Sequence, residues 1–526
     1  MISPALSVLI LVSAYGLYRL LSIGKRDKRM PPGPPTLPIL GNFHQIPRTG
    51  LYKQFQAWAK EYGSIFSLKF GPTDVIVLCD RKAVHHLLDK KGAIYSDRPY
   101  TYVGRLLTQG DHIAIEQMDP IWREKRKVIA HNFSPKVLDE QHFKIQEAEA
   151  TVLMNDLLDS PDKFFNHIRR YTASVASVIA FGHRGPTFES FWGHCVYTVM
   201  DQWTAAMEAG ANPPVDEYPI LKLIPTRWCW WKKRAIVAGG VFEEIWGKAR
   251  RIVDERIAKG DKRDAIIDRL LDEYNKKGWP MSQHAFNNLI GEIVEGAADT
   301  TAAQLLTLML ALAKNPHVQK KAREQIDPIC GKERSPQWSD FKEMMYINQI
   351  IKEGMRWRPV AVTGLPHRVR EDDEYEGMRI PKDSTVFIPV WAIHHTEEIY
   401  PDHESFNPDR YVNHTKLAND YSGSSDWAGR DHYGYGAGRR SCPGLHLAER
   451  NMWRITAKIL WAFEISEPVD PKTGKTIPLD PDAYNPGILQ APLPFNVNIK
   501  PRSPEHVAII RREIGNALDF LKPWDK

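Results

Sequence analysis

The pattern of apolar and polar positions divides the chain into unequal parts. From Pro4 to Ile23 nearly every residue is apolar and Arg19 is the only charge. About 20 such residues are enough to span a bilayer. Farther on, Ile65 to Phe70 and Asp74 to Leu78 are rich in β-branched and aromatic residues around Gly71-Pro72, which predicts two strands and a turn. Much of 120–350 repeats at helical spacing, and 360–395 returns to short strands. One apolar stretch stands out, from about Gln283 to Lys314, with Ser282 placed to cap it and Asn315-Pro316 to end it. At about 1.5 Å per residue this helix is roughly 48 Å long and crosses a whole domain. A second helical pattern opens at Leu445 and continues through Leu447, Ala448, Met452, Ile455, Ile459 and Leu460. The expectation is an α-rich chain with a small β region, not an alternating βαβ fold.

Composition adds limits. A chain of 526 residues is long for one domain, yet no Gly/Ser-rich linker divides it after the N-terminus. With 43% hydrophobic and 25% charged residues it can bury a large core. The net charge of +6 is mild and dispersed, which argues against a dedicated nucleic-acid binder. The five cysteines are far apart with no C-x-x-C, so neither a disulfide framework nor a zinc site is expected. Lys25, Arg26, Lys28 and Arg29 come directly after the apolar stretch and would hold the bulk of the chain on the cytoplasmic side. Pro31-Pro32-Gly33-Pro34-Pro35 then reads as a stiff spacer, neither helical nor sheet-forming. Three parts result: an anchor with its basic flank (1–29), a proline hinge (30–36) and a catalytic domain (37–526).

The candidate chemistry centres on Tyr435-Gly436-Ala437-Gly438-Arg439-Arg440-Ser441-Cys442-Pro443-Gly444. Cys442 stands at the mouth of the helix that opens at Leu445, where free N–H groups favour a thiolate. The glycines let the backbone lie against a flat ligand, and Arg439 and Arg440 offer forked donors to a carboxylate. Thiolate, flat surface and carboxylate partner together describe haem held by cysteine. A lone cysteine after a turn is more often merely buried, but the whole string resembles the haem loop of the cytochrome P450 family, with Tyr435 where phenylalanine is usual.

Other segments match that family in order. Trp122 and Arg126 share a helical face and match a position that contacts a haem propionate. Glu292, Glu295 and Asp299 lie on one face of the long helix, and acids on a core helix need a reason. Gly296-Ala297-Ala298-Asp299-Thr300-Thr301 resembles the oxygen-activation segment, Ala297 replacing the commoner glycine. Glu353, Arg356 and Arg410 match a structural charge network, and His367 or Arg368 is a further candidate for a propionate.

The resemblance implies a mainly α cytochrome P450 fold with an N-terminal transmembrane helix, single-pass in the endoplasmic reticulum and facing the cytosol. It implies haem b, with Cys442 as axial ligand and Trp122, Arg126, His367 and Arg440 around it. Asp299 and Thr300 would manage proton delivery during insertion of one atom of O2 into substrate. No flavin or nicotinamide motif occurs in the chain, so NADPH would act only through a separate NADPH-cytochrome P450 reductase, with cytochrome b5 as a second candidate donor. The overall look is closest to fungal enzymes of secondary metabolism, including hydroxylases of small phenols such as m-cresol and m-hydroxybenzyl alcohol in patulin-type mycotoxin pathways. This implies a small apolar or aromatic substrate, with Tyr100, Tyr102, Val103, Trp203, Val362 and Ile488 expected in the pocket. Trp228, Trp230 and Trp231 suit either a membrane interface or a buried cluster. The alternatives are an isomerase or dehydratase of the same fold and a non-catalytic haem carrier or sensor.

Overall fold

A computed structural model describes residues 4–208 and 210–525. The apolar N-terminal stretch is a helix, Pro4–Ser22, that buries none of its residues against the rest of the chain. It is long and apolar enough to cross a membrane. The basic flank is partly committed to internal bonds: Arg26 donates to the carbonyls of Gly33 and Pro34, and Arg29 pairs with Asp27 at 2.9 Å. The proline segment is not a free spacer either. Proline removes the N–H but leaves the carbonyl, and Pro31 and Pro32 accept bonds from the Ser67 hydroxyl and amide. The segment is therefore fastened to the edge of a strand.

That strand, Ile65–Phe70, pairs antiparallel with Thr73–Leu78 through the Gly71-Pro72 turn. Two short strands from the 360–395 region, Thr385–Phe387 and His367–Arg368, complete a four-stranded sheet. Two-stranded pairs at 373–380 and at 463–466 with 498–501 are the remaining strands among the described residues, beside a few isolated bridges. Helices make up most of the rest, including a C-terminal helix, Pro504–Leu521, that the sequence pattern did not single out.

The long helix runs Gln283–Lys314, with the Ser282 hydroxyl accepting from the Ala285 amide at 3.0 Å. Asn315-Pro316 ends it because the residue before proline is pushed out of the helical region. This central helix is buried on nearly every side, packed along Phe164–Phe181 and against the helix Leu445–Ala462. Its burial explains its apolar C-terminal half, and makes the polar residues of its N-terminal half the ones to account for.

Candidate haem-thiolate site

A cavity of about 330 Å³ lies where segments far apart in sequence meet. They are the helix Pro120–Asn132, the middle of the central helix, the 360–367 stretch and the loop carrying Cys442. The loop is shaped by its glycines. Gly436 and Gly438 have φ of 74° and 63°, in the left-handed region. A Cβ on Gly438 would stand 2.4 Å from the Leu88 carbonyl oxygen, so only glycine fits. Asp89 accepts from the Gly438 amide at 2.7 Å, and the Cys442 amide donates to the Tyr435 carbonyl at 2.8 Å.

These bonds leave Cys442 on the cavity wall beside Gly434, Tyr435, Gly436 and Gly444. Burial pushes the Cys442 thiol upward, while the Gly444 N–H at the helix mouth and the Arg126 guanidinium pull it down. An iron ion held there would favour the thiolate further.

Three guanidinium groups line the same cavity: Arg98, Arg126 and Arg440. Arg440 donates to the carbonyls of Ser96, Ile113 and Glu116 and stacks 4.0 Å from the Trp122 ring centroid. Arg126 donates to the Ser441 carbonyl next to Cys442. Arg98 donates to the carbonyls of Ala114, Leu365 and Pro366. None of the three has an ion-pair partner among the described residues. Arg98 is lowered to about 9 by burial and then by repulsion from Arg440 and Arg126, and Arg440 to about 10, again by burial first. Largely buried cations without a close ion-pair partner favour a nearby anion, and these three could hold one at this edge of the cavity. Arg98 was missed by the sequence reading; it has no local signal, because its neighbours come from positions near 114, 365 and 440. Arg439, by contrast, lies exposed outside the cavity.

His367 also lines the cavity, with Nδ1 2.8 Å from the Tyr95 carbonyl. Burial, then Arg98, keeps it well below the usual histidine range. It is therefore neutral with Nε2 free, and an incoming carboxylate would raise it toward imidazolium. Arg368 turns away to Asp97 at 2.7 Å. The Glu353 carboxylate is held by Arg356 at 2.7 Å and 2.8 Å and by the Asn407 amide at 2.8 Å, with Arg410 3.6 Å away. Glu353 and Arg356 are fully buried, Arg410 is partly exposed, and the network lies outside the cavity lining, consistent with a structural part.

On the central helix Gly296, Ala297, Thr300 and Thr301 face the cavity. The three acids on its face part company. Glu292 lines the cavity; Glu295 accepts from His112 Nε2 at 3.1 Å and Trp246 Nε1 at 2.9 Å. Asp299 sits just past the cavity wall, touching solvent along one edge yet densely surrounded, and burial pushes it up to about 6 against the pull of Arg169. Of the expected pocket residues, none of Tyr100, Tyr102, Val103, Trp203, Val362 and Ile488 is part of the lining. Tyr102 and Val103 pack toward Trp231, and Trp203 stacks on His112 at 4.3 Å. Their neighbours Ile113, Val360, Ala361 and Leu489 take the wall instead. Trp228 and Trp230 are 69% and 61% exposed whereas Trp231 is 3% exposed, so the three tryptophans do not act as one cluster.

A cysteine at the wall, small residues on the facing helix and unpaired arginines fit a flat, metal-centred dianion, which is what haem presents. The Cytochrome P450 family model matches residues 31–499, and the chain belongs to that family. It is 41% identical over 508 residues to the cytochrome P450 monooxygenase patI of Aspergillus clavatus, covering 96% of this chain and 95% of that one. It is 40% identical over 512 residues to the monooxygenase acuD of Aspergillus aculeatus, covering 97% and 96%. A third relative, patH of Aspergillus clavatus, is 40% identical over 459 residues, covering 86% and 87%. The chain is a haem-thiolate monooxygenase of this group.

Proposed function

We propose that this enzyme inserts one oxygen atom from O2 into a small aromatic, phenolic substrate of fungal secondary metabolism, on electrons from NADPH passed through a separate reductase. The observation that carries the reading is the meeting, in one largely apolar cavity, of Cys442, Thr300 and three unpaired arginines. Haem bound there supplies the redox chemistry, using two electrons and two protons to send one oxygen atom into substrate and the other into water. Cys442 would be its axial ligand, and Arg98, Arg126 and Arg440, with Trp122 and His367, would hold its propionate edge.

The chain's own residues then handle protons and position. The Thr300 hydroxyl spends its proton on the Gly296 carbonyl at 2.7 Å, which leaves its oxygen as an acceptor toward the cavity. Next to it, Asp299 is held at about 6, close enough to neutrality to exchange protons with solvent. Ile113, Ile293, Ala297, Val360 and Leu489 keep the cavity dry and suit an aromatic ring. The apolar helix Pro4–Ser22 would anchor the enzyme in the endoplasmic reticulum membrane with the catalytic part in the cytosol.

The test is reconstitution of the full-length enzyme with a diflavin reductase and NADPH in vesicles. A red-shifted carbon monoxide band, together with oxygenated product from a phenol panel, supports the reading. The band without any oxygenated product would leave the carrier or isomerase alternative.

A further inference from the structure

Resting on the phenolic-substrate reading above, the geometry points to Glu292 as the residue that reads the substrate's hydroxyl group, its carboxylate accepting the O–H hydrogen bond. Glu292 is 6% exposed and lines the cavity, yet neither of its oxygens makes a close hydrogen bond; the Ile113 amide and the Lys125 ammonium stand beside the carboxylate at longer range. Buried polar groups are almost always satisfied, and an orphan among them calls for an explanation. The surrounding groups are committed elsewhere. Lys125, wholly buried, stands 3.7 Å from Glu292 Oε1 but donates its hydrogen bond to Glu116. His112 gives its Nε2 to Glu295, which is satisfied twice over.

Place sets the kind of ligand. Along this helix the cavity wall is apolar apart from Glu292, Thr300, Thr301 and Gln304, so an entering molecule meets few polar groups, and Glu292 is the one that carries a carboxylate, the usual way a site fixes orientation. Glu292 lies one turn before Gly296 and two before Thr300, roughly 6 and 12 Å along the helix axis. The shorter step is about the span of one substituted aromatic ring. A ring hydrogen-bonded at Glu292 therefore presents its far edge beside Gly296, on the side of the cavity that faces Cys442. Charge favours a neutral donor over an ammonium group. Lys125 already stands 3.7 Å from Glu292 Oε1, so a second cation would compete with it, whereas a phenolic or alcoholic O–H satisfies the carboxylate without adding charge. The same acid rejects a ring that lacks the hydroxyl, because Glu292 would then stay desolvated and unpaired.

The experiment uses the haem-loaded full-length enzyme and follows the substrate-induced spin-state shift with m-cresol, m-hydroxybenzyl alcohol, 3-methylanisole (the methyl ether of m-cresol) and benzylamine. Wild type should bind m-cresol about tenfold or more tighter than its ether, the cost of leaving a buried acceptor unpaired. Glu292→Gln, which keeps an acceptor oxygen, should retain most of that ratio. Glu292→Leu should abolish it and bind the ether at least as well as the phenol, with an unchanged carbon monoxide band. Equal binding of phenol and ether by wild type, an unchanged ratio in Glu292→Leu, tighter binding of benzylamine, or no shift with either hydroxylated ring would each overturn the proposal. The wild-type comparison stands even where a variant does not fold. Absence of the red-shifted band in wild type would instead sink the haem-thiolate reading, so the two failures are distinguishable.

Discussion

The hydroxyl of Thr300 donates to the carbonyl of Gly296, 2.7 Å away on the preceding turn of the central helix. This back-bond occupies the threonine's proton and leaves its oxygen lone pairs to accept from the cavity. Thr300→Ala should keep haem and reductase turnover but send electrons into peroxide, lowering product per NADPH by about tenfold or more, the low end of what a positioned proton-handling group contributes. Thr300→Ser should stay near wild type. Product, peroxide and NADPH measured together decide it; full coupling in the alanine variant would transfer the role to Thr301 or to water.

Asp299 should act differently. Its carboxyl sits beside the cavity and faces Arg169 and Asp201, so its replacement leaves the wall intact. Asp299→Asn should slow turnover while keeping product matched to NADPH, and the solvent isotope effect on kcat should grow as protonation becomes limiting. An unchanged isotope effect would remove Asp299 from the proton path.

Haem retention should depend on a residue that carries no motif. Arg98→Met should release haem to apomyoglobin about tenfold or more faster than wild type, because one of three charge-assisted partners of an anionic edge is lost. Arg368→Met, at the outward-facing neighbour of His367, should release it at the wild-type rate. Equal rates in the two variants would mean that the arginine trio does not hold the propionates.

The contrast between Arg98 and Cys442 shows what the sequence could carry. Cys442, the central helix with its Ser282 cap and the first two strands were legible because local patterns specify them: glycines at positive φ, a capping hydroxyl, alternating apolar residues. Arg98, Lys125 and the carboxylate of Glu292 were not legible in their roles, since each also depends on a partner more than 100 residues away: Leu365 and Pro366 for Arg98, and Lys125 and Glu292 for one another. The same limit explains the pocket. Of the five segments expected to line the pocket, those near 98–116, 289–300, 360–366 and 485–492 contribute to the wall and 201–216 does not; which side chains point inward depends on packing, and Trp203 is held by His112 instead. Acids at i, i+3 and i+7 share a helical face in projection; only the neighbouring elements decide that one meets a histidine, one the cavity and one an arginine.

Glu353 and Arg356 form a fully buried pair whose partners all come from one structural region, including the carbonyls of His394, His403 and Ser405. Glu353→Ala leaves that guanidinium uncompensated, a loss of about 3–5 kcal/mol. The expected result is low haem content and a lowered melting temperature before any change in chemistry appears. A well-folded, haem-replete Glu353→Ala protein would contradict the structural role.

Stability should also depend on pH through Glu449, which is buried and pushed up to about 7, with its Oε1 on the Ala418 amide and its Oε2 unsatisfied. Because the folded value lies above the unfolded one near 4.5, the folded state binds more protons between about pH 4.5 and 7 and loses stability as pH rises through that window. On the order of 3 kcal/mol rides on this group. Glu449→Gln should flatten the melting temperature against pH from about 5 to 8 and raise it at the upper end. A curve parallel to wild type would show that Glu449 is not the group responsible.

The most direct test of the account is the carbon monoxide difference spectrum of reduced wild-type enzyme beside Cys442→Ser, at matched haem content. If the Cys442 thiolate is the axial ligand, wild type shows the red-shifted Soret band and the serine variant, even when it holds haem, shows none and forms no oxygenated product. A serine variant that keeps both the band and the activity would contradict the assignment of Cys442 at its centre.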